Sequence, residues 1–387
     1  LANGQFKITS PGPQEVKWEI PTNLFYQLMY RVADYSYIVP PEVWKKFGGM
    51  SDWRNSVGTG AFILTDVVPG SSKTLKRNPN YWMQDPVGPG KGNQLPYVDG
   101  VKWLIIPDAS TLMAAFRVGK VDHLPVVSWE DALTLEKQRP EIKANGTYSA
   151  TPVSMIAMRV DKTPFNDIRV RQALMLAIDF NGIRKNYFGG TAQVMTWPYP
   201  WIKDYAAALI NEDEAPAAVK ELYSYNPEKA KALLKEAGYP NGLKAELILP
   251  STQQYVDYYS IYKDMWAKVG VDVTFNIKAT APMAAIVRAR DYQEMEVTGG
   301  QPGAVGFSSM LTFRGTGENN ASYVDDPTVE AAFQKMQKLI ITDTKAAYQL
   351  NKELMTHVLA QVWRIPRVMA PEYALWWPWV KGYSGED

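Results

Sequence analysis

The sequence predicts an α/β protein, and three observations carry that prediction. Helix, strand, helix and strand follow one another over residues 226–278, short helices and strands go on alternating beyond them, and the first third is strand-rich with Gly and Pro between the strands. In the central run, Asn226 is placed to cap a helix, Pro227 stands at its first position and Gly238 ends it. Ala230, Leu233, Leu234 and Ala237 recur with the period of a buried helix face. Leu243–Leu249 (LKAELIL) then alternates as a strand that Pro250 stops. Residues 252–268 read as a second helix with Tyr255, Tyr258, Tyr259, Tyr262 and Trp266 spread over its faces, and Gly270 ends it before Val271–Ile277 (VDVTFNI) alternates again. A crossover of this length cannot be a hairpin, so the two strands are expected to run parallel in a right-handed unit.

The remaining elements follow in the same way. Before the boundary expected near residues 145–153, strands are predicted over 16–20, 61–67, 73–77 and 101–106, with a short helix over 111–117. The stretch Asp85–Pro96 (DPVGPGKGNQLP) is a turn-rich loop. After the central run come a helix from Pro282 to Arg288, a strand over 293–298, a helix opened by Asp326-Pro327 and running to about residue 340, a helix over 345–359 and a strand over 365–369. No internal repeat and no low-complexity tract interrupts them.

At 387 residues the chain is long enough for two to three cores. Lys and Arg number 41 against 40 Asp and Glu, so no basic excess is available to neutralise phosphates and nucleic acid is not the expected partner. No apolar run reaches the ~20 residues that cross a bilayer. Cysteine is absent, which removes disulfides, thiolate nucleophiles and Cys-based zinc sites together. The two histidines, His123 and His357, are far apart and lack metal-ligand spacing, so each reads as a satisfied structural or surface residue and no metal or cofactor is expected. Aromatic residues are abundant, with 13 Trp, 22 Tyr and 12 Phe, and they serve equally to fill cores or to line clefts for sugars or peptides.

Several local patterns are weighed for chemistry. Gly58-Thr59-Gly60 lacks the third glycine, the helix start and the Lys-Ser/Thr pair of a phosphate loop, and it reads as a tight turn into the following strand. There is no Gly-x-Ser-x-Gly elbow. A carboxylate pair for glycoside hydrolysis stays open, since nothing local singles one out. Asp161, Asp167 and Asp179 stand at element ends, where caps and salt links are their default roles. Asp167–Lys185 carries an apolar stripe at Val170, Leu174, Ala177 and Ile178, and its arginines are read as a solvated face. Met195–Tyr205 (MTWPYPWIKDY) must be a loop because of its prolines, and its aromatics either anchor that loop or face a cleft; Trp197 and Tyr199 are therefore candidates for ligand contact. Trp376, Trp377 and Trp379 are expected to pack between elements.

Val57–Phe62 (VGTGAF), Lys76–Trp82 (KRNPNYW), Leu95–Gly100 (LPYVDG) and Ile106–Asp122 (IPDASTLMAAFRVGKVD) come in this order, followed by Pro164–Ala177 (PFNDIRVRQALMLA), Tyr225–Gly242 (YNPEKAKALLKEAGYPNG), Ile365-Pro366 and Trp379–Gly385 (WVKGYSG). This ordered series resembles family 5 of the bacterial extracellular solute-binding proteins, the dipeptide, oligopeptide and nickel-chelate type. The resemblance implies a two-lobed, type II periplasmic-binding-protein-like α/β fold with hinge strands. Lobe I would be residues 1–150 with 366–387 returning to it, and lobe II would be 151–365. The implied function is delivery of a peptide, oligosaccharide or similar solute to the membrane permease of an ABC importer by cleft closure, in the periplasm or at the cell surface and without catalysis. The alternative from another class is a carbohydrate-active enzyme with a carboxylate pair in an aromatic cleft.

Two departures from the family pattern shape the expected site. Family members carry a further segment before the position of Leu1, so the chain is expected to be part of a longer lipoprotein whose lipid anchor would lie on that segment. Peptide-binding members also place a Gly-Trp motif and an Asp for the peptide amino terminus where this chain has Thr298–Phe307 (TGGQPGAVGF), with neither residue. Loss of that amine anchor shifts the expected ligand toward an uncharged one such as an oligosaccharide. Gly300, with its glycine neighbours, can let backbone approach the ligand, and Gln301, Phe307 and Arg314 are the candidate side-chain contacts.

Overall fold

A computed structural model of the chain describes residues 7–21, 39–148, 154–199, 201, 203, 206–299, 311–315 and 320–383. By contacts the chain divides into two compact units: Pro125–Leu375 together with the ends of the chain (Leu1–Met29 and Gly382–Asp387), and Tyr30–Leu124 with Trp376–Lys381. The lobe boundaries expected at 150/151 and 365/366 both fall inside the first of these.

Near the N-terminus, β1 (Lys7–Thr9) pairs antiparallel with β2 (Lys17–Glu19). The smaller unit follows with α1 (Pro41–Phe47) and an antiparallel sheet of β3 (Phe62–Val68), β4 (Ser72–Arg77) and β5 (Gly100–Leu104). Gly58–Gly60 leads into β3 as a turn, not a phosphate loop. Helix α2 (Ala109–Arg117) is capped by Asp108, whose carboxylate accepts from the Thr111 N–H at 2.7 Å. The terminal tryptophans belong to this unit as packing residues: Trp377 stacks on Trp379 with ring centroids 4.6 Å apart, and its Nε1 donates to the Phe116 carbonyl.

The chain passes into the larger unit within β6 (His123–Val127), followed by α3 (Trp129–Gln138) and β7 (Lys143–Thr147). Next come β8 (Met155–Met158), α4 (Ile168–Leu176), α5 (Phe180–Asn186), α6 (Ala217–Leu222) and α7 (Pro227–Glu236). The central run then supplies β9 (Leu243–Pro250), α8 (Gln253–Ala267) and β10 (Val271–Lys278), and after it α9 (Thr280–Ala289) and β11 (Met295–Thr298). The chain closes with α10 (Pro327–Thr342), α11 (Thr344–Gln361), β12 (Arg364–Pro366) and β13 (Glu372–Trp376). The main sheet has the order β10-β9-β11-β8-β12, and β6-β13-β7 forms a second, three-stranded sheet.

The predicted crossover is present: β9 and β10 are parallel neighbours, Leu243 opposite Val271 through Pro250 opposite Lys278. The strands start side by side because Gly242 and Gly270 meet there. A Cβ on Gly242 would lie 2.5 Å from the Gly270 carbonyl oxygen, and Gly242 also has φ +99°. Helix α7 starts as its sequence indicates, with the Asn226 side chain accepting from the Lys229 N–H at 3.0 Å.

Helix α8 is where the tyrosines settle. Tyr258, Tyr259, Tyr262 and Trp266 are fully buried, against the sequence expectation that they spread over several faces. Their polar atoms are all engaged: Tyr259 donates to Ser154 Oγ (3.1 Å), Tyr262 to the Pro366 carbonyl (2.7 Å), Trp266 Nε1 to the Leu174 carbonyl (2.9 Å), and the Val368 N–H donates to the Tyr258 hydroxyl (3.0 Å). One helix thus holds the start of β8 and the end of β12 in place.

Residues 167–185 correct a second expectation. They form two helices rather than one, because Asp179 caps the second through the Gly182 N–H (2.7 Å). Arg171, read as part of a solvated face, is only 4% exposed. Its guanidinium donates to the carbonyls of Gln361 (2.9 Å) and Phe165 (2.6 Å), and burial pulls its pKa down to about 10. Asp161 and Asp167 do take salt-link and cap roles, with Arg159 and Arg169 respectively.

Candidate functional site

Within the larger unit, α3, the end of α5, the start of α8 and the segment after β12 converge on a cavity of about 480 Å³. Ser128 starts α3 by accepting from the Asp131 N–H at 3.2 Å, which delivers Trp129 and Glu130 to the wall. The Trp129 ring lies on the turn after α5 at Gly189, where a Cβ would come within 3.0 Å of it. That turn presents Tyr187 and Phe188, whose rings meet edge to face at 4.8 Å. Helix α8 contributes Gln254 and Tyr255, the latter stacked on Tyr259. Ser154 and residues 367–372 complete the lining. A volume of this size, with aromatic rings set beside the polar side chains of Glu130, Ser154, Gln254, Arg367 and Glu372, suits a small organic solute.

The polar groups of the cavity are unusual in what they lack. The Arg367 guanidinium sits 4.5 Å from the centroid of the Tyr258 ring and makes no hydrogen bond or ion pair among the described residues, and its Nε is buried without a partner there. Trp129 Nε1 is a second buried N–H donor with no acceptor. Glu130 and Glu372 are exposed at the same wall. Burial pushes the Tyr258 hydroxyl up to about 12, so the ring beneath Arg367 stays neutral.

The residues picked from the sequence take other places. Trp197 and Tyr199 are buried at 3% and 4% exposure in the hydrophobic core of the larger unit. Trp197 meets Phe313 edge-on at 5.5 Å, next in sequence to Arg314, so the aromatic loop and the segment before α10 do come together. Arg314 is paired with Glu330 (2.7 Å) and lies 3.6 Å over the Phe333 ring. Gly300, Gln301 and Phe307 lie outside the described residues. His357 is bonded to Asp326 at 3.0 Å, the structural role expected of it. Sequence reading missed Arg367, Trp129, Tyr187, Phe188 and Tyr255. The one available signal was Arg367 itself, a lone charge in the otherwise uncharged stretch Ile365–Pro371 directly behind the Ile-Pro motif.

Behind the site, Arg364 and Glu296 form a buried polar pair of another kind. Arg364 is 4.8 Å from the Trp197 ring and donates to the Thr312 carbonyl at 2.9 Å. Glu296 is fully buried with both carboxylate oxygens unbonded, and burial, only partly offset by the charge of Arg364, pushes it up to about 7. Among the described residues, no group of three or more His, Asp or Glu side chains could hold a metal.

The α/β core with its mixed five-stranded sheet is that of the type II periplasmic-binding-protein class. In fold the chain is similar to the periplasmic binding protein DppA from Helicobacter pylori, solved with the peptide STSA: TM-score 0.74, 21% identity, 98% of this chain and 71% of that one. The profile of the bacterial extracellular solute-binding proteins, family 5, matches residues 2–321, and the chain belongs to that family. It is similar to heme-binding protein A of Haemophilus influenzae, 28% identical over 84% of this chain and 57% of the relative. It is also similar to the glutathione-binding protein GsiB of Salmonella typhimurium, 26% identical over 75% of this chain and 52% of the relative. The chain thus spans about half the length of the curated relatives it matches. The proteins named are binding proteins, and the carbohydrate-active alternative finds no support among them. Membership in this extracellular family places the protein outside the cytoplasm. No helix among the described residues is long and apolar enough to cross a membrane.

Proposed function

We propose that this chain captures a small solute, a short peptide or peptide-like molecule, outside the cytoplasm and passes it unaltered to the permease of an ABC importer. The observation that carries this reading is the cavity beside β12: it is lined by aromatics, of solute size, and furnished with N–H donors that no group among the described residues satisfies. The similar proteins are named for, or solved with, a peptide, glutathione and heme. Two lobes, 1–150 with 366–387 and 151–365, would close over the solute, and closure would be the state the permease reads.

The test is titration calorimetry of the full-length protein with tri-alanine and glutathione, small-angle scattering with and without each, and chromatography of the solute afterwards. Binding with a smaller radius of gyration and intact solute is expected. Turnover of the solute, or uptake of neither compound, would overturn the proposal. The segment around residue 301 is part of the proposal: Gln301→Ala combined with Phe307→Ala is expected to weaken uptake about tenfold with an unchanged melting temperature, and unchanged affinity would remove those residues from the site.

A further inference from the structure

We infer that Arg367 is a carboxylate anchor, so that the solutes taken into this cavity carry a carboxylate held by its guanidinium and the Trp129 indole N–H. The inference rests on the solute-capture reading and adds to it the chemical class of the ligand. Three buried arginines of the same unit set the standard. Arg159 pairs with Asp161 at 2.7 Å, Arg171 donates to two carbonyls, and Arg364 donates to Thr312. Arg367 is half-buried, and alone among these four it has no hydrogen-bond acceptor among the described residues; its Nε is buried unmet, which is costly.

Its position is prepared rather than accidental. The Tyr258 ring beneath the guanidinium is locked, its hydroxyl accepting from the Val368 N–H and sharing a 3.1 Å hydrogen bond with Tyr262. A planar cation held on a fixed ring presents its donor edge in one orientation, which is the geometry a carboxylate accepts bidentately. Trp129 adds a neutral donor on the same cavity wall.

The remaining charges select among anions. Glu130 and Glu372 line the same cavity and neither forms an ion pair with Arg367. Two carboxylates lining the cavity with one guanidinium disfavour a dianionic phosphate and tolerate a monoanionic carboxylate, the more so if the rest of the solute is apolar or cationic. The aromatic wall of Tyr187, Phe188 and Tyr255 accepts an apolar body.

The experiment is calorimetric titration of the full-length protein with tri-alanine and with tri-alanine amide, which differ only in the carboxylate. Wild type is expected to prefer the free acid by tenfold or more. Arg367→Gln is expected to bind acid and amide within twofold of each other, and Arg367→Lys to keep a reduced preference, with melting temperatures recorded for both. Trp129→Phe, which keeps an aromatic ring and removes the N–H, should lower acid affinity a few-fold and change amide affinity less. Equal binding of acid and amide by wild type, or a preference that survives in Arg367→Gln, overturns the anchor while leaving solute capture standing. The wild-type comparison decides the matter even if a variant fails to fold. Uptake of neither probe overturns the peptide-capture reading and this inference with it.

Discussion

Single residues show most sharply where charge sits in this fold. Four arginines of the larger unit are withdrawn from solvent to differing degrees, and three of them are compensated by backbone carbonyls or a carboxylate. Glu296 is the reverse case, a buried acid with neither oxygen bonded. Folded, it keeps its proton to about pH 7, whereas the unfolded chain releases it near 4.5. The folded state therefore binds the extra proton between those values, and stability falls as pH rises through that window. Glu296→Gln should consequently be more stable than wild type at pH 8, by up to about 3 kcal/mol, and nearly equal to it at pH 4.5. Urea unfolding at the two pH values checks this; a difference independent of pH would show that the carboxylate is not the cause. None of this was legible beforehand. Glu296 stands in a strand whose neighbours Met295 and Val297 are also buried, so alternation gave no hint that it points inward.

At the scale of elements, local chemistry decides where helices begin. The Asp326 carboxylate accepts from the N–H groups of Thr328 (2.8 Å) and Val329 (3.1 Å), and its other oxygen meets His357 on α11. Asp326→Ala should cost about 2 kcal/mol, since it removes a cap and a link between two helices together. Asp326→Asn, which can still cap, should cost about half that; equal losses in thermal unfolding would mean that only the charge matters. Gly242→Ala should cost at least about 2 kcal/mol, because its Cβ meets backbone where β9 and β10 start. Wild-type stability in that variant would refute the close approach. Caps such as Asn226, Asp179 and Asp326 lie within three residues of the groups they serve, which is why most of these starts were readable from sequence. The break of 167–185 into two helices was missed because the apolar stripe runs through it. The inward turn of the α8 tyrosines and Trp266 was missed because it depends on Ser154, Leu174, Pro366 and Val368, each 92 residues or more from its partner in the chain.

For the whole molecule, burial is unevenly shared. The main sheet is covered, with Met155, Ile156, Leu247, Val273 and Ile365 nearly inaccessible, whereas β3, β4 and β5 are largely open to solvent and Trp103 is 63% exposed. Amide exchange should therefore be slowest in β8, β9 and β10 and orders of magnitude faster in β3–β5. Equal protection of both sheets would contradict that division of the core. The sequence by itself determined the α/β class, the parallel crossover, most element positions and the ordered motifs of family 5, because each is written in neighbouring residues and hydrophobic period. Only the tertiary structure decided that Arg171 and Glu296 are buried, that Trp197 belongs to the core, and that Arg367 lies unmet over Tyr258 in a cavity. Those facts depend on which distant segments meet, and on whether an acceptor arrives with them, neither of which a local pattern encodes.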